Sequence, residues 1–423
     1  MQEKRLEIKD KPALAIVGAG IVGLCTALEA QREGFTVTLI DRDAPGLGAS
    51  FGNAGYLATE LIDPLGTPET LKLVPKLWMD PKGPLCLPPS YLPKLTPWLL
   101  RFLQASRAYP AQQGRSALAQ LNQASVGAWQ RCLTALGAQS HLVQCGYLLV
   151  WETANQSDAR SHQAFLNDWE IESELVTGDD VMALEPEISQ RVHHALHFPG
   201  AYRVSDPYRL CETLFHSFLS QGGIFTQQLI SRLVPHTDKV QLVTDTHQPL
   251  TLFDRVILCT GAWGKEMIAK LGLQIPVEAE RGYHLTYPSE TGLLRHLIGS
   301  ADRRCVISPL ESGTRVVGMT ELGGLRLAPI KKRYGVLQHH AQCLFPKLAK
   351  QTEVEEWMGH RPTLPDSLPV IDQHPHYPNI LFAFGNQHLG VTQAAATAEL
   401  IVAKALNKTC FMSTDPFSAK RFS

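Results

Sequence analysis

Residues 13–41 read ALAIVGAGIVGLCTALEAQREGFTVTLID, and this stretch decides the fold. The apolar run Ala13 to Val17 predicts a buried strand, and Leu24 to Glu33 predicts a helix. Between them Gly18-Ala19-Gly20-Ile21-Val22-Gly23 forms a G-x-G-x-x-G turn. Gly34 stops the helix in a left-handed cap, and Thr36 to Ile40 predict a second strand that closes on Asp41. Gly18 suits the tight turn, Gly20 a close approach of backbone to a pyrophosphate, and Gly23 close packing of helix on strand. The helix start offers free N–H groups and a positive dipole end to phosphates. Asp41, placed about 20 residues on, suits the hydroxyls of an adenosine ribose. The unit predicts a dinucleotide site and leaves FAD and NAD both open.

Composition narrows the field around it. At 423 residues the chain suits two domains. Its 39 basic and 40 acidic residues nearly cancel and are scattered, so no nucleic acid or other polyanion is expected as a partner. The nine cysteines are dispersed without a C-x-x-C, which fits reduced thiols and no zinc site. His193-His194 and His339-His340 lack metal-ligand spacing, so no metal is expected. The first residues, MQEKRLEIKDK, are charged and lack the apolar core of a signal peptide. No apolar run reaches the roughly 18 residues of a membrane span. The expectation is a cytoplasmic protein, with contact to the inner face of the cell membrane left open.

After the second strand comes DRDAPGLGASFGNAGYLATE, where Gly46, Gly48, Gly52 and Gly55, with Ser50 and Asn53, predict a loop whose backbone approaches a ligand. An extended flavin pyrophosphate and ring would demand such a loop. Residues 64–103 are apolar but rich in proline, so short helices are expected, packed on the core or resting on a membrane interface. A helix is predicted at 115–138, ending near Gly137, and another from Pro207 to Gln221. Strands are predicted at Gly146–Trp151, Ile224–Ile230, Val240–Thr244 and Arg255–Cys259, the last running into Thr260-Gly261 as a second dinucleotide contact. Residues 275–330 read as β-rich, and a strand is predicted around Val354–Gly359. Near the end, the glycine-bounded loop Gly385 to Gly390 opens onto an alanine-rich helix, Gln393 to Leu406. A helix start there would stabilise the negative charge of a reduced flavin.

Across nearly its whole length the chain resembles the FAD-dependent amino acid oxidase superfamily, and within it the bacterial D-amino acid dehydrogenases. The resemblance lies in IVGAGIVG, LIDRD, ASFGNAG, LTPWLLRFL, ILCTGAW, VEAERGYHLTYP, TRVVGMTEL, WMGHRPTLPDSLPVI and FGNQHLGVTQ, in that order. It implies an α/β (α+β) fold, with an FAD-binding Rossmann-type domain interleaved with a β-rich substrate-binding domain. The expected FAD-binding segments are 13–65, 207–265 and 355–415; the substrate-binding segments are 66–206, with a helical insertion, and 266–354.

By the same resemblance Gly18, Gly20, Ile21, Val22 and Gly23 would bind the FAD pyrophosphate, and Asp41 and Arg42 would meet the adenosine end. Ser50, Asn53, Ala54 and Gly55 would follow the cofactor toward its ring, Ile230 would contact the adenine, and Gly261 would lie beside the phosphates. Arg361, Gly385, Leu389, Gly390 and Thr392 would border the ring. One departure is visible. Many dehydrogenases of this group read G-H-G-T-L-G-W-T where this chain has Gly385-Asn386-Gln387-His388-Leu389-Gly390-Val391-Thr392. That, with R-G-Y-H at 281–284, resembles the branch acting on cyclic imino acids such as D-hydroxyproline or D-proline.

The implied reaction is hydride transfer from the Cα of a D-amino or D-imino acid to flavin N5, with electrons passed to a quinone, another electron carrier or oxygen. It asks the protein mainly for orientation and electrostatics. An arginine fork suits the substrate carboxylate. Arg281, Arg203 and Arg361 are the candidates, with Tyr283, His284 and His388 as pocket donors. Two alternatives stand beside this reading: an oxygen-using oxidase of glycine, sarcosine or opines, and a non-catalytic flavoprotein subunit of a larger complex.

Overall fold

A computed structural model describes residues 11–422; most of the charged N-terminal stretch lies outside the described residues. Ala13–Val17 sits inside a six-stranded sheet. From one edge its order is Ile224–Gln227, Thr36–Asp41, Ala13–Val17, Arg255–Leu258, Ile380–Phe384 and Val370–Gln373. Every pairing is parallel except the last. Parallel strands are covered on both faces, and ALAIV, ILFAF and, after Arg255, VIL accordingly read as unbroken apolar runs. Alternation still sorts the side chains. Leu14 and Ile16 join the core shared with the helices, while Ala15 and Val17 join the core on the other face.

The opening helix Ile21–Arg32 lies against the closing helix Gly390–Ala405, whose buried Ala394, Ala395, Ala396 and Ala398 allow close approach. The helix expected at 115–138 spans Ala108–Leu136 and stops at Gly137, in the left-handed conformation at φ 66°. It packs on the closing helix, where Trp129 Nε1 donates to the Val391 carbonyl at 2.8 Å.

The second large sheet has nine strands. Its path runs Glu355–Thr363, Glu278–Tyr287, Gly313–Leu322, Cys305–Leu310, Leu297–Ser300, Tyr147–Trp151, His194–Phe198 and Glu174–Thr177, with Leu85–Cys86 added on Gly313–Leu322. Strand pairing adds one fact and corrects one strand boundary here. Glu355–Thr363, placed among the FAD-binding segments by the sequence, pairs antiparallel with Glu278–Tyr287. That long strand is buried along its whole length, so both of its edges need a ladder partner. The strand expected at 224–230 is two strands. Ile224–Gln227 ends where its partner ends, at Asp41, and Ile230–Pro235 starts a separate antiparallel sheet with Val240–Thr244 and Pro249–Phe253.

The proline-rich segment forms two helices, Pro68–Met79 and Leu92–Ala105, each with an interior proline, Pro75 and Pro97. The first buries none of its residues, and the second buries Leu95 and Trp98. Among the described residues no helix is long and apolar enough to cross a membrane, and no cluster of His, Cys, Asp and Glu is arranged for a metal. All nine cysteines are free thiols.

Candidate active site

A cavity of about 1700 Å³ runs from the first glycine turn to the 385–391 loop. A small-ligand pocket holds roughly 300–1,000 Å³, so this one has room for an extended molecule and a second ligand. Gly18, Gly20, Ile21, Val22, Asp41, Arg42, Ser50, Asn53, Ala54, Ile230, Gly261, Arg361, Gly385 and Gly390 are all on its wall. The remaining candidates are behind it. Gly23 packs on the turn, Gly55 backs onto Val204 and Leu310, Leu389 is buried in the core, and Thr392 binds backbone.

The glycine turn is determined by crowding on one side and emptiness on the other. Gly18 has φ 111°, and a Cβ there would stand 2.3 Å from the Cys259 carbonyl oxygen. A Cβ on Gly23 would stand 1.8 Å from the Gly18 oxygen. Gly20 differs: within 4 Å a Cβ there would meet only Ser50 Oγ, at 3.4 Å, so the glycine borders open cavity. Asp41 braces the turn by accepting from Ala19 N at 2.6 Å and Asp43 N at 3.1 Å. Ser50 Oγ accepts from Ile21 N at 2.9 Å, tying the second glycine-rich loop to the helix start. At the far rim the Arg42 guanidinium lies 3.6 Å from the ring centroid of Trp263, a stacking arrangement. Trp263, two residues past Gly261 in the ILCTGAW stretch, was not singled out as a site residue from sequence.

At the other end the sheet presents an ion pair to the cavity. Glu280 and Arg361 are directly opposite on adjacent strands, and Arg361 Nη1 donates to Glu280 Oε1 at 2.8 Å. Thr363 donates to Glu280 Oε2 at 2.8 Å and Thr320 to Oε1 at 3.1 Å. Burial works to raise the Glu280 carboxyl. Arg361, His388 and the hydrogen bonds from Thr363 and Arg361 outweigh it and hold the carboxyl below its ordinary value. Arg361 lies over Gly282, where a Cβ would stand 2.4 Å from the guanidinium. His388 is on the same wall. Burial lowers its pKa to about 4 against the pull of Glu280, so the ring is neutral at pH 7. Glu280, Thr320 and Thr363 were not singled out from sequence, because only strand register brings them to Arg361.

Four sequence candidates for direct roles are placed elsewhere. Arg281 is one residue from Glu280 and so falls on the opposite face of the strand. There it is fully buried, donating to Glu321 at 2.7 Å and to the carbonyls of Gly324 and Ala328 at 3.1 and 3.2 Å. Tyr283 reaches the cavity wall, but its hydroxyl donates to Glu321 and accepts from Ile330 N. His284 is off the wall. Its ring stacks on Trp357 with centroids 4.9 Å apart, and its Nδ1 is 3.1 Å from the Gly52 carbonyl oxygen. Burial, with Arg315 nearby, lowers its pKa to about 3. The ring is therefore neutral, and the Nδ1–H tautomer donates to that carbonyl. Arg203 is also off the cavity wall, bonded to the carbonyls of Val204 and Ser205. Arg315, unnoticed in the sequence, donates to the Phe51 and Asn53 carbonyls at 3.0 and 2.9 Å and clamps the loop with His284.

The wall fits a flavin dinucleotide. Thr260 Oγ1, His360 Nε2 and Gln387 Nε2 are buried, without a hydrogen-bond partner and on residues of the cavity wall, as expected of groups that meet a bound molecule. Gln387 holds φ 50°, unusual for a side chain and characteristic of functional loops. Gly390 opens the closing helix with no atom within 4 Å of where a Cβ would be.

Residues 13–404 match the family described as DAO, FAD dependent oxidoreductase, and the chain belongs to that family. It is therefore an FAD-dependent oxidoreductase. It is 32% identical to a D-amino-acid oxidase of Bradyrhizobium diazoefficiens over 97% of this chain and 98% of that one. With a D-amino acid dehydrogenase of Vibrio atlanticus it shares 25% identity over 96% and 99% of the two chains. Among solved structures it is similar in fold to glycine oxidase from Geobacillus kaustophilus, with TM-score 0.77 and 20% identity over 97% of this chain and 99% of that one.

Proposed function

We propose that the chain oxidises the Cα–N bond of a small D-amino or D-imino acid, with cyclic substrates such as D-proline and D-hydroxyproline first among them. The observation that carries this is Arg361. Its Nη1 is held by Glu280, with the Met319 carbonyl at 3.4 Å, while Nε and Nη2 have no hydrogen-bond partner among the described residues. A guanidinium fixed on one side and open on the other suits a substrate carboxylate. Glu280 orients it, and neutral His388 adds a hydrogen-bonding group without repelling a substrate ammonium. The relatives named for D-amino acids, and the departure at 385–392, support the substrate class.

Gly18, Gly20, Ile21, Val22 and Asp41 would hold the adenosine diphosphate portion of FAD, with Arg42, Ile230 and Trp263 at its adenine end. Asn53, Ala54 and residues 385–390 would border the ring. FAD, when bound, supplies the oxidant. The surrounding residues orient the substrate and exclude water. Two domains built from alternating segments would then meet along the cavity, with Glu355–Thr363 belonging to the substrate side.

Anaerobic mixing with D-proline, D-hydroxyproline, D-alanine, glycine and sarcosine tests this: the cyclic D-acids are expected to bleach the flavin fastest. Bleaching by glycine or sarcosine alone would move the assignment to the oxidase alternative, and bleaching by none would overturn it. Oxygen uptake measured beside reduction of a quinone analogue assigns the electron acceptor.

We also propose that the two proline-containing helices rest on a membrane surface. Trp78 is 47% exposed, Met79 73%, Leu100 58% and Leu103 50%, with the exposed cations Lys72, Lys76, Lys94 and Arg101 among them. Leu99 and Phe102 instead line the cavity, with Phe102 stacked on Trp98 at 5.2 Å. Flotation with anionic vesicles is expected for the wild type and not for the Leu100→Glu, Leu103→Glu double variant. Absence of wild-type flotation would refute it.

A further inference from the structure

We propose that Glu60 takes the proton from the substrate's ammonium group, leaving the amine neutral for oxidation. This rests on the amine-oxidising reading above. Glu60 lies on the cavity wall and is only 7% exposed. Among the described residues its Oε1 and the hydroxyl of Tyr56 have no partner at hydrogen-bonding distance, although the two groups are near enough for the hydroxyl to act on the carboxyl. A buried carboxyl left incomplete is costly unless a ligand completes it.

Its position is fixed from the first turn of the closing helix, the turn that follows the 385–390 loop. Thr392 Oγ1 accepts from Ala58 N at 3.1 Å and lies 3.3 Å from the Tyr56 carbonyl oxygen. Asn122 Nδ2 donates to the Leu61 carbonyl at 3.0 Å, and Asn122 Oδ1 accepts from Gln393 Nε2 at 2.9 Å. Glu60 is thus held between two residues that are tied to Thr392 and Gln393.

The titratable groups facing it are Tyr56 and Tyr147, with Cys145 and Cys305 next to those tyrosines. Among the described residues no lysine, arginine or histidine acts on its carboxyl. Burial pushes its pKa up to about 7, offset in part by Tyr56 and its own backbone N–H. The contrast with Glu280 decides which carboxyl takes the proton. Glu280 already has Arg361, Thr320 and Thr363, and stays ionised. Among the described residues ionised Glu60 has no cation beside it, and a substrate ammonium supplies one.

The step balances. An ammonium N–H bond breaks, its electron pair stays on nitrogen, and the proton moves to the Glu60 carboxylate. The Cα hydrogen then leaves with its electron pair to the oxidant of the family's reaction, and the product is an iminium cation.

The test is the anaerobic rate of flavin reduction from pH 5.5 to 9.5 in wild type, Glu60→Gln and Glu60→Asp. The wild-type rate is expected to rise with pH and level off, with a midpoint near the Glu60 value of about 7. Glu60→Gln is expected to be slower at pH 7.5 by about 10²-fold or more. Its rise is displaced to the substrate amine's own, higher pKa, and Glu60→Asp restores much of the rate. Calorimetry supplies a readout apart from turnover. Benzoate, a carboxylate without an amine, is expected to bind with proton uptake at pH 7 in wild type and without it in Glu60→Gln. A flat wild-type profile, or proton uptake that persists in Glu60→Gln, overturns the assignment. Reduction unaffected by Glu60→Gln removes Glu60 alone. A wild type reduced by no amine removes the amine-oxidising reading and this step with it.

Discussion

Arg281 and Arg361 are both paired arginines on adjacent strands, and they have opposite prospects. Arg281 is completely enclosed with Glu321, so truncating it leaves a buried carboxylate without its cation. Arg281→Met is expected to cost about 3–5 kcal/mol in chemical denaturation, with the affinity for benzoate unchanged. Arg361 is partly exposed to the cavity. Arg361→Met is expected to raise KM strongly and lower kcat/KM by about 10²-fold while FAD is retained, as for loss of a bidentate carboxylate anchor. A normal KM in that variant would exclude Arg361 as the anchor. Buried histidines set the acid limit. Folded-state values of about 3 for His284 and about 4 for His340, His360 and His388 lie below the unfolded value near 6.5. Their contribution is present above about pH 6.5 and is lost as pH falls through 4. Denaturant titrations at pH 7.5, 5.5 and 4.5 are expected to show falling stability, and equal midpoints would contradict it.

At the scale of elements, the second glycine-rich loop depends on side chains from the other sheet. Arg315 and His284 reach from the nine-stranded sheet to the carbonyls of Phe51, Gly52 and Asn53. Arg315→Ala is expected to weaken FAD binding by about tenfold or more, measured by flavin fluorescence on dilution, because two backbone carbonyls lose a charged donor. Unchanged affinity would show that the loop holds its shape alone. The glycine-turn unit was readable from sequence because every part of it is local. Strand, turn and helix lie within 29 residues, and the crowding around Gly18 and Gly23 leaves little choice of residue. The strand at 224–230 and the sheet membership of Glu355–Thr363 were not readable. A strand's end and its sheet are set by the partner's length and free edge, and neither is local to the strand.

At the scale of the whole molecule, the cavity is what the two sheets and the long helices enclose, and filling it has a thermodynamic consequence. A ligand that binds only the folded chain stabilises it by about 2.7 kcal/mol at a hundredfold excess over Kd. FAD is therefore expected to raise the Tm of the apoprotein in a concentration-dependent way, followed by scanning calorimetry. An apoprotein Tm indifferent to FAD would contradict the fit of the cavity to the cofactor.

The amino-acid sequence alone determined the local geometry of four features: the glycine turn, Asp41 beside it, the second glycine-rich loop and the glycine-bounded start of the last helix. These features come from short-range backbone geometry, so they are visible as residue types at fixed spacings. The tertiary structure alone decided which charges face the cavity. Arg281, a candidate from sequence, and Glu280, not singled out there, are neighbours in the chain, and the alternation of one strand sends the first to a buried pair with Glu321 and the second to Arg361. Glu60, unremarkable in the sequence, stands out only once folding has buried its carboxyl beside the cavity without a partner.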